Sequence, residues 1–574
     1  MNLRTFFRDG FGPVLLGCGA ALIAAQAMAH GIGHSGHSVS GGDASDVARG
    51  FVFLDRNENG IKDRSERGLR GVSVSNGLDV VVTDARGYYE IALPEQSILF
   101  ISKPAEFEVP VDENNLPQFY YRHYPDGTPD VAELEFPVIE PTGPLPRLIN
   151  FPLLAGKLHN RRFKAMAFAD PQAATDEYQD QVREDIVNEL IDNPYGAAFG
   201  LVAGDVVDDN LALYPRHNAM MGAIGIPIWN VPGNHDMNYR APSDEYATET
   251  YKRYFGPTNF SFNHGDVHFI GLDNVQYKGD GQGRYDNSTY RGYLTEQQLE
   301  WIRNDLSVVP KDKLIVIITH ISLITHALDG KGESYNLGDN INTVNFHDLV
   351  EILQPFNRVY AMAGHDTSNS WKVKVDHEHD WYGDWFIAHT LAETRGNGWG
   401  SGPRDERDVR LATMQDGNPN GYYVMNFDGT EVVPHFIPAQ GDPNQTMRIV
   451  LDPLLDGTRD DVGNVISINR GALVPGTKVV VNLFDGGERD SVMISIDGTP
   501  FADMQNVLRT DPFMERLRAR FAGTDDSFSS PVPSSHIWEY PLPELNPGLH
   551  VIRVQSRDEF GQKSAKAMSL EIIE

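Results

Sequence analysis

Cysteine is almost absent. Cys18 stands alone in 574 residues, so no disulfide can close within the chain and no cysteine pair is available for metal or redox chemistry. Positive charge is scarce too. Lys and Arg number 48 against 80 Asp and Glu, a net charge of −32. Such a surface repels nucleic acid and anionic membranes, and no nucleic-acid surface is evident. Long apolar runs are limited to one, at 11–25, and no second run of spanning length follows. The phosphate-cradling G-x-x-x-x-G-K-[ST] loop, the G-x-S-x-G nucleophile elbow and Cys/His zinc-finger spacings are missing as well. These gaps set aside P-loop enzymes, serine hydrolases of the elbow type and zinc fingers.

The N-terminus does carry a signal. Arg4 and Arg8 precede the apolar run, and Ala27-Met28-Ala29 follows it. A positive segment, an apolar segment and an A-x-A site predict a secretory signal peptide over 1–29, hence an exported protein, periplasmic or extracellular, without a transmembrane anchor. Cleavage would remove Cys18. Leu15-Leu16-Gly17-Cys18 also fits a lipobox with Cys18 lipidated, although apolar residues continue past it. Residues 30–48, rich in Gly, Ser and His, read as a flexible linker. The length beyond it leaves room for three or more domains.

Five polar clusters each arrive directly after an apolar run. Asp170-Pro171-Gln172 follows 165–169, and Gly204-Asp205-Val206-Val207-Asp208 follows 199–203. Gly233-Asn234-His235-Asp236 follows 226–231, His320 follows 314–319, and Gly364-His365-Asp366-Thr367 follows 359–363. Runs of this length bounded by Gly or Pro predict buried strands, and chemistry on α/β sheets gathers at strand carboxyl ends. Asp, Asn, His and Gln at five such ends are what a pair of divalent cations needs. Helices are predicted over 176–191, 211–224, 244–255, 296–308 and 346–353, with Val182, Ile186 and Leu190 or Leu299, Ile302 and Leu306 forming one apolar face each. Thr295 and Gln298 form a capping box ahead of the fourth.

In order and type the clusters resemble the calcineurin-like metallophosphoesterase signature: D-x-H, G-D-x-x-D, G-N-H-D/E, a lone His, then G-H-x-H. The resemblance covers 162–439 and implies an α/β/β/α sandwich that hydrolyses phosphoric esters, as a phosphatase or phosphodiesterase, with two divalent cations (Mn, Fe, Zn or Mg). It implies that Asp205 bridges the cations, that Asn234, His320 and His365 complete one site, and that Asp170 and Gln172 bind the other. His235 would contact the phosphate or protonate the leaving oxygen, oriented by Asp236 or Asp208. Two departures fall on the same cation: Gln172 replaces a histidine, and Thr367 replaces another. That leaves Asp170, Gln172 and Asp205, an oxygen-only set suited to Mg²⁺, Mn²⁺ or Ca²⁺. Asp366, His377, His379 and His389 are candidates for the missing ligand. Thr367 also keeps open a different class, a surface or periplasmic binding protein on a decayed phosphoesterase fold.

The flanks read as all-β. An N-terminal β domain is expected over 49–155, and its first part, 49 to about 94, reads as short strands and resembles the B-type β-sandwich modules of bacterial adhesins, on Gly50-Phe51-Val52-Phe53, the Asp55 loop and Thr83-Asp84 with Gly87-Tyr88-Tyr89. The loop places Asp55, Asn57, Asn59, Asp63 and Glu66 at the oxygen-ligand positions of a calcium loop, with Gly60 at its sharp turn. A polar hairpin that needs no ion is the alternative. Residues 104–152, dense in proline and aromatics, read as irregular. From 445 to 574, strands are predicted around 449–451, 465–468, 478–483, 492–496 and 550–555, with one helix over 513–522. The stretches at Trp399 and at Asp416-Gly417-Asn418 are similar to a bacterial subgroup of the same family. Trp381, Trp385 and Trp399 would either line a pocket or pack a core. The expected molecule is multidomain, with a central α/β phosphoesterase domain between two all-β domains.

Overall fold

The computed structural model describes residues 47–574 apart from 131–133, 157–160, 285–288, 326–339, 397, 454–457, 460–464 and 473. The expected signal peptide, Cys18 and most of the linker lie outside the described residues.

Two mixed sheets face each other at the centre of the chain. The first runs in the order Ile228–Val231, Phe199–Ala203, Arg162–Phe168, Gly421–Asp428, Glu431–Pro438, its first three strands parallel. The second runs Phe260–His264, Val267–Gly271, Leu314–Ile318, Arg358–Ala363, Phe386–Thr390, Trp371–Val375. Central parallel strands are covered on both faces, which is why their sequences are continuous apolar runs. The pleat sorts the first sheet's side chains. Ala165, Ala167, Phe199, Leu201 and Trp229 join the core shared with the second sheet. Met166, Phe168, Val202 and Ile228 turn the other way, onto Val182, Ile186, Leu190 and Tyr214 of the helices. Aromatic rings close the gap between sheets: Trp229 stacks on Phe262 at 4.2 Å, and Phe199 meets Phe269 edge-on at 5.3 Å.

The helices follow the 3.6-residue pattern with local interruptions. The predicted 176–191 helix is Asp176–Val182, a π-helical stretch Arg183–Val187 and Asn188–Leu190, capped by the Thr175 hydroxyl accepting from Tyr178 N. The 211–224 prediction begins as a 3₁₀ turn, Leu211–Leu213, before Tyr214–Gly222. The 244–255 prediction breaks at Thr248 into Asp244–Ala247 and Glu249–Phe255. Glu296–Ser307 carries the expected capping box, Gln298 N donating to Thr295 Oγ1 and Thr295 N to Gln298 Oε1. With Phe346–Leu353 it packs Leu299, Ile302, Leu349 and Leu353 into the second sheet's core. The layers are α/β/β/α.

Both flanking regions are β-rich. Before the core, two four-stranded sheets run Tyr88–Ala92, Val47–Leu54, Phe151–Ala155, Phe107–Glu108 and Val80–Val82, Ser73–Ser75, Ser97–Ser102, Tyr120–His123. Residues 104–152 are therefore not wholly irregular. Phe107–Glu108 and Tyr120–His123 lie inside that stretch, and Phe151–Ala155 begins at its end. Their partners, such as Val47–Leu54 beside Phe151–Ala155, are far off in sequence, and no local pattern announces such pairing. After the core come a four-stranded and a six-stranded sheet and the helix Pro512–Phe521. Two buried polar networks fasten this last region to the core. Asp485 receives Lys372 Nζ at 2.9 Å, Tyr423 Oη at 2.8 Å and contacts His389 Nε2 at 2.9 Å. Asp416 receives Ser370 N at 3.0 Å and contacts His536 Nε2 at 3.0 Å.

Candidate metal centre

The five clusters converge where the parallel strands of both sheets end. Sharp turns are needed to aim each polar side chain back across the sheet edge, and the backbone records them. Asp170, Gln172, Asp205 and His365 have φ of 49°, 39°, 48° and 74°. Non-glycine residues in that region cost about 1 kcal/mol or more each and persist where the surroundings over-determine them. Two motif glycines make room for a ligand from another loop. A Cβ on Gly233 would sit 2.1 Å from Asp205 Oδ1, and one on Gly364 would sit 2.2 Å from Asp170 Oδ2.

His320 is the hub. Its Nδ1 lies 2.8 Å from the Ala203 carbonyl, which can only accept, so the proton sits on Nδ1 and Nε2 faces inward. Around Nε2 stand Asn234 Oδ1 at 2.9 Å, His365 Nδ1 at 3.1 Å and Asp205 Oδ1 at 3.2 Å. His365 Nε2 is 2.7 Å from the Asn340 carbonyl, which turns its Nδ1 lone pair to the same point. Asp170 accepts from His365 N at 3.0 Å, and one ligand atom each of Asp170, Asp205 and His320 lies within 4.8 Å of the others. Burial raises the Asp170 carboxyl, with the Asp205 charge adding to it. Burial would also raise Asp205, but the His320 and His235 charges overcome it and hold that carboxyl low. Burial opposes the His320 imidazolium, yet Asp205 and Asp170 lift it to about 9. Burial and the His320 charge press His365 down to about 3. Electrostatically the hub asks for positive charge.

His235 stands at the mouth. Its Nδ1 is 2.7 Å from Asp209 Oδ1 and 3.0 Å from Asp208 Oδ1, and its Nε2 is 4.0 Å from Asp205 Oδ2. Asp208 is thus placed to orient this ring, together with Asp209, which the sequence reading missed. Asp236 is not. Its carboxylate turns inward and accepts from Gly233 N at 2.9 Å, Val206 N at 3.1 Å and Tyr214 Oη at 2.9 Å, tying the second cluster to the third. Asn234–Asp236 is a 3₁₀ turn, where successive side chains project about 120° apart, so the aspartate next to His235 in sequence is aimed away from its ring.

Near Asp170, buried acceptors lack donors. Gln172 Oε1 is buried without a hydrogen-bond partner among the described residues. So are both carboxylate oxygens of Glu393, a residue with 0 % exposure that the sequence reading passed over. Burial and then the Asp170 charge raise its carboxyl well above the ordinary value. Arg395 bridges the rim, Nε 3.9 Å from Glu393 Oε2 and Nη1 3.5 Å from Asp208 Oδ2. The candidates for a missing ligand are engaged elsewhere. Asp366 accepts from Trp371 Nε1 at 2.8 Å and Ser368 Oγ at 2.6 Å, His389 belongs to the Asp485 network, and His379 lies beside Asp376. His377 is exposed. Trp399 is buried and donates Nε1 to the Pro171 carbonyl at 2.9 Å, steadying the Asp170 turn. Trp381 packs on Phe386 in the core, while Trp385 is exposed near Lys374 and Arg489. Converging imidazole and oxygen acceptors, with unsatisfied buried oxygens beside them, fit divalent cations.

No curated relative matches the chain. Among solved structures it is similar to a purple acid phosphatase from yellow lupin seeds, at 13 % identity and a TM-score of 0.34 over 69 % of this chain and 68 % of that one. It is also similar to the NAD nucleotidase of Haemophilus influenzae, at 14 % identity and a TM-score of 0.24 over 48 % of this chain and 50 % of that one. Family models match three consecutive stretches: the N terminal of calcineurin-like phosphoesterase at 56–138, calcineurin-like phosphoesterase itself at 163–367, and the C terminal of calcineurin-like phosphoesterase at 389–563. With a catalytic stretch that spans all five clusters and both flanks matched in order, the chain belongs to the calcineurin-like phosphoesterases and is a metal-dependent phosphoester hydrolase.

Proposed function

We propose that this protein is an exported hydrolase of phosphoric esters that works with two divalent cations at the strand ends. The observation that carries the reading is the ring of acceptors around His320 Nε2: Asp205, Asn234 and His365 within 3.2 Å of one imidazole nitrogen. Asp205, Asn234, His320 and His365 would hold one cation, and Asp205, Asp170 and Gln172 the other. Cations bound there would neutralise phosphoryl oxygens and acidify water near neutral pH.

The chain's own groups do the rest. In the reaction, water oxygen bonds to phosphorus and gives up one proton to solvent, and the bond to the leaving oxygen breaks. His235, its Nδ1 fixed by Asp208 and Asp209, presents Nε2 toward the Asp205 side and supplies the proton that the leaving oxygen takes up. Arg395 adds fixed positive charge at the rim, where the phosphate dianion or monoanion would enter. Burial of Asp170, Asp205, Asn234 and His320 keeps the dielectric low around the charges that change.

Export rests on the N-terminal pattern, and among the described residues no helix is long and apolar enough to cross a membrane. The working boundaries are 1–29 for the signal peptide, 30–48 for the linker, 49–155 and 445–574 for the β domains and 162–439 for the catalytic domain. Purified protein tested on an aryl phosphate and an aryl phosphodiester should turn over with Mn²⁺, stop with chelator, and lose at least ~100-fold in kcat/KM on Asp205→Asn. Activity that survives both chelator and this substitution overturns the metal mechanism. Metal uptake without hydrolysis of any phosphoester would instead favour a binding protein on this fold.

A further inference from the structure

The oxygen-only side of the centre is short of one ligand because Thr367 stands where an imidazole is expected. A carboxyl group from outside the five clusters lies close enough to Asp170 and Asp205 to feel their charge. Residues 391–394 are stitched between the ends of two ligand-bearing strands. Leu391 N donates to Ala363 O at 2.9 Å, just ahead of Gly364 and His365, and Thr394 N donates to Ala169 O at 2.7 Å, just ahead of Asp170. Ala392 N donates to Tyr423 Oη at 2.7 Å, so the segment is held on both sides. Glu393 sits in the middle of it, with no solvent exposure and neither carboxyl oxygen hydrogen-bonded among the described residues.

A buried carboxyl with neither oxygen hydrogen-bonded is costly to ionise, so such a group keeps its proton unless a cation stands against it. Arg395 does not relieve it: at 3.9 Å from Oε2, its Nε makes no hydrogen bond. Gln172 Oε1, two residues from Asp170, is a second buried acceptor without a donor among the described residues. We infer that Glu393 is a ligand of the oxygen-rich cation, taking the coordination position that Thr367 cannot fill. The inference rests on the two-cation reading above. It gives the second site Asp170, Gln172, Asp205 and Glu393, three carboxylates and an amide oxygen, a set that selects Mn²⁺ or Mg²⁺ over Zn²⁺.

The test is Mn²⁺ binding to the full-length, metal-stripped chain, by equilibrium dialysis with elemental analysis and by electron paramagnetic resonance of the loaded protein. Wild type should take up two equivalents and show the signal of a coupled Mn²⁺ pair. Glu393→Gln, which keeps the shape, should hold one equivalent as before and bind the second at least ~10-fold more weakly, with an isolated Mn²⁺ spectrum. Thr367→His in the Glu393→Gln background should restore the second equivalent, a rescue that a merely destabilised core would not allow. If wild type binds two cations and Glu393→Gln matches it, the inference fails while the two-cation reading stands. One equivalent in wild type also overturns it. No binding in wild type overturns both.

Discussion

Asp236 ties two of the ligand loops together, and removing its carboxylate tests whether that tie holds the centre in shape. Asp236→Ala strands Gly233 N–H, Val206 N–H and the Tyr214 hydroxyl in a site with no solvent exposure. At about 1.5 kcal/mol for each buried donor deprived of a charged acceptor, the loss comes to about 4–5 kcal/mol. Asp236→Asn keeps one acceptor oxygen and should lose about half as much. Because Gly233 adjoins Asn234 and Val206 adjoins Asp205, Mn²⁺ affinity should also fall at least ~10-fold in the alanine variant. Urea unfolding followed by tryptophan fluorescence gives the first quantity, and calorimetric Mn²⁺ titration the second. An alanine variant within about 1 kcal/mol of wild type, with unchanged Mn²⁺ affinity, would refute the reasoning.

Gly233→Ala drives a Cβ to 2.1 Å from Asp205 Oδ1, so the ligand must move; Mn²⁺ uptake should drop sharply, and intact binding would show that the loop yields freely. His217 is buried with its imidazole pushed down from the ordinary 6.5 to about 4, so the unfolded chain takes up its proton first as the pH falls. Stability present in full above pH 6.5 is lost toward pH 4, by about 2 kcal/mol at pH 5. His217→Gln should flatten that slope, and equal urea profiles at pH 7.5 and 5 for both proteins would contradict it. In the Asp55 loop, Asp55 Oδ2 accepts from Gly60 N at 2.7 Å, Glu66 accepts from Arg56 N at 2.8 Å and Asp63 N at 3.0 Å, and Asp55 Oδ1 is buried without a partner among the described residues. If it takes Ca²⁺, millimolar Ca²⁺ at about 100-fold over its Kd adds about 2.7 kcal/mol, read as a rise in the first melting transition, and Asp55→Asn should abolish the rise.

By itself the sequence determined which segments become buried strands and which turns leave them. The apolar runs before Asp170, Asp205, Asn234, His320 and His365 cannot be solvated, and Gly or Pro at the ends of all but the fourth makes the chain turn there. Helices such as Phe346–Leu353 were equally legible, since one apolar face repeats every three to four residues. Tertiary structure alone decided three things. It chose Asp209 over Asp236 as a partner of the His235 ring, because side-chain direction on a tight turn depends on which neighbouring loop offers donors. It recruited strands from 104–155 by pairing them with distant ones, where the gain comes from cross-strand hydrogen bonds that no local window contains. It brought Glu393 to the edge of the centre. Like the five clusters, Glu393 follows an apolar strand, Phe386–Thr390, but as a lone acidic residue it has no local mark of function. What distinguishes it is a buried carboxylate without donors, and burial exists only once both sheets have closed.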